Sequence, residues 1–418
     1  MIRKLPKSAF LNPVILIASL LYTILFTVTA CSHQDLSLIP GPIPGNAVVA
    51  GDRTVINSPN TLQHPDNFIW GASVIRGEDG KYHMLYASWD TGPENTNFSN
   101  AWVLYSEISY AVSAFPDHGF EPVATILRGR MHEGDSTAWD AQAVHNPHVK
   151  RFNGKYYLYY IGNRDPGPVE KGEPGWALNK RNRCQQMQST GVIEFNSFED
   201  LLSGNFTRPD EPLLLPRTRV RNDLDHTLSP SPEGTRTMPD NLIVVNPSVV
   251  YRKSDGKYLL YFKGNMYEKG WRGVHGVALG DSPKGPFIAL DEFIFDIRNE
   301  DGTIASAEDP FVWYHGKHRL FYAIIKDFSG KITGDEPGLA ILCSEDGLDW
   351  KIPEKGSSSI RKEILFENGE VIQVSNLERP QLLLDRHGNP QVLYAACSVE
   401  PVGNKRDGST FNVHIPLH

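Results

Sequence analysis

Five carboxylates stand where their types and spacing could do chemistry. Glu308 and Asp309 sit side by side before Pro310, and Glu378 stands before Arg379 and Pro380. Asp140 lies five residues before His145, and Asp66 lies four before Trp70. Carboxyl groups of this kind can share acid–base work: one, protonated, serves a leaving oxygen, while another, ionised, activates water or attacks directly. A third acid nearby can hold the proton donor's pKa up by like-charge proximity. Each acid also has a plainer reading. Asp309 could cap backbone N–H groups at a strand start, and Glu378 could be the ion-pair partner of Arg379. Glu308 could point into a sheet rather than a site, and Asp140 and Asp66 could cap turns.

These residues belong to a phrase written five times. The clearest copies run His145-Asn146-Pro147-His148-Val149 before Gly154-Lys155-Tyr156-Tyr157, and Asn246-Pro247-Ser248-Val249 before Gly256-Lys257-Tyr258. A third runs Glu308-Asp309-Pro310-Phe311-Val312 before Gly316-Lys317. Looser copies begin at Trp70-Gly71-Ala72 and Glu378-Arg379-Pro380. A long fixed period means a repeat architecture. The aligned positions Ala72, Pro147, Pro247, Pro310 and Pro380 are too far apart for the roughly 40–50-residue blades of WD40 and kelch repeats, and suit large four-stranded blades with long loops. Pro cannot donate to a ladder, so it is expected as the first residue of a strand. Asp79-Gly80, Asn153-Gly154 and Asp255-Gly256 then signal hairpins. The expected fold is all-β, a five-bladed β-propeller. Its closure is expected to pair the last strand, near Phe411 to Ile415, with an N-terminal strand near Val48 to Val55. The stretch from Arg164 to Asp240 shows few strand signals and reads as an insertion over the propeller, a lid or a partner contact.

Composition narrows the classes. The formal charge is −8 and no basic block stands out, so nucleic acid is not an expected partner. Arg3, Lys4 and Lys7, an apolar run from Phe10 to Val28, and Ala30-Cys31 read as an export signal. The expected segments are a signal at 1–30, a Pro/Gly-rich tether at 31–50 and one propeller at 51–418. The signal resembles a bacterial lipobox. That resemblance implies lipidation of Cys31, and Ser32 rather than Asp after it implies the outer membrane of a Gram-negative bacterium, with the periplasm as the alternative. Ordinary cleavage near Ala30 and an uncleaved membrane helix are the alternatives. Cys184, Cys343 and Cys397 fit neither a disulfide framework nor a zinc site, and the last two lie in apolar runs that suggest buried thiols.

The five phrases, with Glu308-Asp309-Pro310 and Trp139-Asp140, resemble the five-bladed propeller glycoside hydrolases of families 43 and 117 over about residues 60 to 415. The resemblance implies hydrolysis of a terminal sugar of an oligosaccharide cut from a polysaccharide, by three acidic groups at the channel mouth. It implies catalytic roles for Asp309, Glu378, Asp140, Asp66 and Glu308. Glycosidic cleavage needs one carboxyl as acid and a second to activate water or attack the sugar. The chain departs from the family 43 pattern at Gly71-Ala72, where Asp-Pro would be expected, and at Asn146 and Asn246, which cannot act as bases. The two Asn residues would bind sugar hydroxyls or order a water, and Arg379, at the head of the fifth phrase, would bind substrate with them. His145 would bind substrate or a channel ion. No cofactor is required on this reading, and a structural or channel-bound divalent cation is compatible with it. Trp89, Asp90, Trp139, Trp176 and Trp271 fall in expected loops, where aromatic faces could stack on sugars. The membrane would be met only through the lipid anchor, and the insertion could mediate an oligomer.

Two further readings stay open. A glycoside phosphorylase would need a phosphate pocket, for which Arg379 with Arg128 or Arg130 could serve. A glycan-binding surface lipoprotein would keep the propeller without the chemistry. Gly-x-Ser-x-Gly, a phosphate-binding glycine loop and a Cys/His zinc set are all absent from the sequence.

Overall fold

The computed structural model describes residues 36 and 38–418, apart from 52, 219–222, 233, 268–270, 354–358 and 407–408, and without the side chains of Tyr267 and Trp271. The expected signal segment, Cys31 and the Trp271 side chain therefore lie outside what is described. Five antiparallel sheets form a five-bladed propeller. Their innermost strands are Phe68–Arg76, Ala143–Phe152, Val245–Arg252, Ala307–His315 and Asn376–Leu384. Each is followed by a hairpin partner, and Asn153 and Gly154 form a two-residue turn with positive φ at both positions.

Five apolar clusters lie between adjacent blades and fill the ring. Leu85 and Ile108 of blade one meet Val149 and Leu158 of blade two. Trp313 and Ile324 of blade four meet Leu382 and Leu393 of blade five. The ring closes at blade five, where Phe411–Pro416 pairs with the N-terminal strand Thr61–Gln63. The closing strand is thus not the segment near Val48 to Val55. That segment folds on itself, Asn46–Ala50 against Arg53–Asn57. The stretch from Arg164 to Asp240 is also more than an insertion, because Ser189–Phe195 is the third strand of blade two.

The repeated phrase has a physical cause that differs from the expected strand start. In every blade the inner strand slips register at the phrase, between Trp70 and Ala72, His145 and His148, Val245 and Ser248, Glu308 and Phe311, and Glu378 and Gln381. The residue before Ala72 or the Pro has left-handed backbone: Gly71 at φ 29°, Asn146 at 51°, Asn246 at 56°, Asp309 at 59° and Arg379 at 53°. Each is a β-bulge, which bends the strand and re-aims a side chain. Pro is tolerated at a bulge, where the ladder is already interrupted. Asn, Asp and Gly are the residues that adopt this conformation most readily. Arg379 is the costly exception.

One residue beyond Ala72 or the Pro, side chains tie blade one to two, two to three and three to four. Ser73 Oγ accepts from Val149 N at 3.0 Å, His148 Nε2 from Val249 N at 3.1 Å, and Ser248 Oγ from Val312 N at 2.9 Å. Gln381 of blade five reaches His148 at 3.1 Å. These bonds fix the rotation of one blade against its neighbour, and so the distance between phrase heads. Ser248→Ala leaves a buried N–H without its partner. It should cost about 1–3 kcal/mol in chemical denaturation, and an unchanged midpoint would contradict this role.

Candidate active site

The bulges bring the phrase heads together around one cavity of about 230 Å³. It is lined by Trp70, His145, Val245, Glu308 and Glu378 from the residues just before the bulges, and by Asn146, Asn246, Asp309 and Arg379 from the bulges themselves. Blade one contributes no side chain at its bulge, because Gly71 stands there. An aromatic wall of Trp70, Trp89, Phe98 and Trp102 completes one part of the lining. Phe98 and Trp102 ride on the helix Phe98–Tyr105, whose first turn is capped by Asn97 Oδ1 accepting from Asn100 N. Gln185 and Gln188 also line the cavity, so part of the long stretch after Arg164 does reach the site.

On the axis the bulge residues form a chain of contacts. Asn146 Nδ2 donates to Asn246 Oδ1 at 2.8 Å, and Asn246 Nδ2 donates to Asp309 Oδ1 at 2.6 Å. The Arg379 backbone N–H donates to Asp309 Oδ2 at 3.0 Å, which helps hold Arg379 in its strained conformation. Burial raises the Asp309 pKa above the ordinary carboxylate value, the Arg379 guanidinium opposes that, and the charge of Glu308 adds to it. Both Asp309 oxygens already accept hydrogen bonds, so this carboxylate is a clamp on the axis.

The other two acids are held from the side by lysines. Glu308 Oε1 meets Lys263 Nζ at 2.5 Å and its Oε2 meets Lys326 Nζ at 3.8 Å. Lys326 Nζ also meets Glu378 Oε1 at 2.6 Å, and Asn376 Nδ2 donates to that same oxygen at 2.7 Å. Both contacts of the Glu378 carboxyl thus fall on Oε1, and among the described residues none falls on Oε2. Burial pushes the Glu308 carboxyl up, but the ammonium groups of Lys263 and Lys326 outweigh it and hold the pKa below the usual value. Burial works against the Lys326 charge, and the carboxylates of Glu378, Glu308 and Asp309 outweigh it, so its pKa is raised.

The structure thus gathers Asp309, Glu308, Glu378, His145, Asn146, Asn246, Arg379 and Trp89, and leaves Asp140, Trp139, Asp66, Asp90 and Trp176 elsewhere. Asp140 is fully buried away from the cavity lining, bound by Arg130 Nε and Arg208 Nη2 at 2.6 Å each and by the Tyr160 hydroxyl at 2.8 Å. Trp139 donates to Pro209 O at 3.1 Å and packs on Tyr160. Together they pin the long stretch to blade two. Asp66 is exposed, outside the lining, and Asp90 is exposed and accepts from Gly92 N in a turn. The basic set offered for phosphate also separates, since Arg128 pairs with Glu107 and Arg130 with Asp140. Among the described residues no group of three or more His, Cys, Asp or Glu side chains could hold a metal ion. Cys184, Cys343 and Cys397 are buried and form no disulfide among the described residues.

Sequence reading missed Lys263 and Lys326. Each lies toward the end of the apolar second strand of its blade. The register sets Lys326 opposite Glu308 and Lys263 opposite Val245. A lysine late in an otherwise apolar strand was the available signal.

No protein-family profile matches the chain, and no curated protein matches it. Solved structures do. Zg3597, a family 117 glycoside hydrolase produced by the marine bacterium Zobellia galactanivorans, is 16% identical, with 91% of this chain and 90% of that one covered and a TM-score of 0.50. Another solved glycoside hydrolase is 12% identical over 90% and 92%, with a TM-score of 0.54. An endo-1,5-α-L-arabinanase from Thermotoga petrophila is 13% identical over 85% and 75%, with a TM-score of 0.50. The fold is that of glycoside hydrolase propellers. At such identities the likeness fixes the architecture, and the chemistry must come from the residues in the cavity.

Two measurements test this partition. Lys326→Met removes a cation from beside Glu308, so the Glu308 pKa should rise in an NMR titration of labelled glutamate side chains; no rise would refute the coupling. Asp140→Asn strands two arginines and should cost on the order of 3–5 kcal/mol of stability. The same variant should leave sugar binding unchanged, and a binding defect in a well-folded sample would return Asp140 to the site.

Proposed function

We propose that the protein is a glycoside hydrolase that removes a terminal sugar from an oligosaccharide. The observation that carries this reading is the convergence of Glu308 and Glu378 on one small cavity beside an aromatic wall. Ligand pockets for drug-sized molecules span roughly 300–1,000 Å³. A cavity of about 230 Å³ suits a single sugar ring, which favours exo action.

The two glutamates differ in the way the chemistry requires. Glu308 is kept ionised by its lysines. Glu378 has both contacts on Oε1, which leaves Oε2 open to a leaving oxygen. In this mechanism Glu378 protonates the glycosidic oxygen as its bond to the anomeric carbon breaks, and Glu308 attacks that carbon. Water then cleaves the glycosyl–enzyme bond, giving its proton back to Glu378. Glu308 and Glu378 share Lys326 Nζ at 3.8 and 2.6 Å, which caps the distance between the contacting oxygens. Inverting pairs stand roughly 6.5–9.5 Å apart and retaining pairs about 5–5.5 Å, and direct attack by Glu308 commits this reading to the second class. Retention of anomeric configuration is the expected outcome. NMR of the first product formed tests it, and an inverted product would require a water in place of direct attack.

The ion pairs favour a second reading. Lys263, Lys326 and Arg379 set three cations against three carboxylates, as a glycan-binding protein without catalysis could also do. Substitution separates the two. In a screen of aryl glycosides and algal and plant oligosaccharides, Glu308→Gln and Glu378→Gln should each cut turnover by about 10²–10⁴-fold while sugar binding persists. Sugar binding with no turnover in the unsubstituted protein would leave the binding reading.

A further inference from the structure

One cation in the cavity wall has an edge with nothing to hold. Arg379 is 2% exposed and lines the cavity. Its Nη1 reaches Asp309 Oδ1 only at 3.5 Å, at the limit of a hydrogen bond. Its Nε and Nη2 have no partner among the described residues. These two atoms share one side of the guanidinium, and together they form a fork that matches the two oxygens of a carboxylate. A buried charged group left without partners is costly, so a donor edge of this kind calls for an acceptor.

On this side Arg379 meets the blade-one bulge, where Gly71 carries no side chain. A Cβ at Gly71 would come within 3.2 Å of Arg379 Nε and 3.3 Å of Asn146 Oδ1. The other four blades all carry a side chain at the bulge. The acids nearby do not leave the cavity strongly anionic, because Glu308 and Glu378 are matched by Lys263 and Lys326.

A second orphaned atom lies in the same wall. Gln188 Nε2 donates to Gln185 O at 2.9 Å, which turns its Oε1 toward His145 Nε2 at 3.1 Å. His145 Nε2 therefore carries the hydrogen. Burial holds the His145 pKa down to about 3, so the ring is neutral and Nδ1 is a bare acceptor. No group among the described residues donates to it. Trp89 Nε1, from a residue also in the lining, is a bare donor.

We propose that the cavity takes a terminal sugar that bears a carboxylate, a uronic acid, with the carboxylate on the Nε–Nη2 edge of Arg379 and a sugar hydroxyl donating to His145 Nδ1. The proposal rests on the reading of this cavity as a terminal-sugar site, and it names the class of sugar. Small adjustments of the wall must admit the carboxylate, since both guanidinium atoms are closed to bulk water.

Binding to the unsubstituted protein tests it without relying on turnover. Affinities would be measured by calorimetry or ligand-observed NMR for glucuronate and galacturonate, their methyl esters, glucose, galactose and a galactose sulfate. A uronate should bind at least tenfold tighter than its ester and the neutral sugar. Arg379→Lys keeps the charge and loses the fork, and should erase that preference in a sample whose melting temperature shows it folded. Equal binding of neutral sugars, or a preference for the sulfated sugar, overturns the proposal. A parallel screen of aryl uronides and neutral aryl glycosides separates the two readings. Turnover of neutral glycosides without uronate preference removes this inference and leaves the hydrolase. Uronate binding without any turnover does the reverse.

Discussion

The structure depends on one local distortion repeated five times. A residue with left-handed backbone interrupts each inner strand and turns a side chain toward the axis. Without the bulge, a regular strand would keep strict alternation, and the residue before the Pro would face a neighbouring blade. With it, four side chains meet on the axis in a connected set, Asn146 to Asn246 to Asp309 and Arg379. The constraint also selects the residue types. Asn and Asp tolerate the conformation and supply polar groups at once. Blade one uses Gly, whose backbone lies close against the Arg379 side chain.

That exchange makes the site lopsided. The acids come from blades four and five, and the cations that set their charge come from the second strands of blades three and four. Lys326 joins the arrangement, because it touches both glutamates. Blades one and two give aromatic and neutral polar surface instead, through Trp70, Trp89, Trp102 and His145. A sugar ring has apolar C–H faces and a polar rim, so such a division of the wall suits it.

Much of this was legible in the sequence. The five phrases announced the blades, and Asn153-Gly154 announced a hairpin, because turn chemistry and period are local properties. Glu308, Asp309 and Glu378 were legible for the same reason, since they are part of the phrase. Asp140 and Asp66 were misleading because distance along the chain from a phrase head says nothing about direction. Asp140 instead meets Arg208, which lies far along the chain and could not be paired with it by pattern. Lys263 and Lys326 were missed because cross-strand register is not written in either strand alone. The closing strand was misplaced for a related reason: a short segment, Thr61–Gln63, shows too little alternation to stand out.

The central claim is that the reacting bond lies between Glu308 and Glu378 at the heads of blades four and five. A crystal structure of the Glu378→Gln protein with an uncleaved oligosaccharide tests it directly. The account predicts a terminal sugar in the cavity against the aromatic wall, with its glycosidic oxygen beside residue 378 and its anomeric carbon facing Glu308. A sugar bound outside this cavity, or one whose glycosidic oxygen lies away from residue 378, would contradict it.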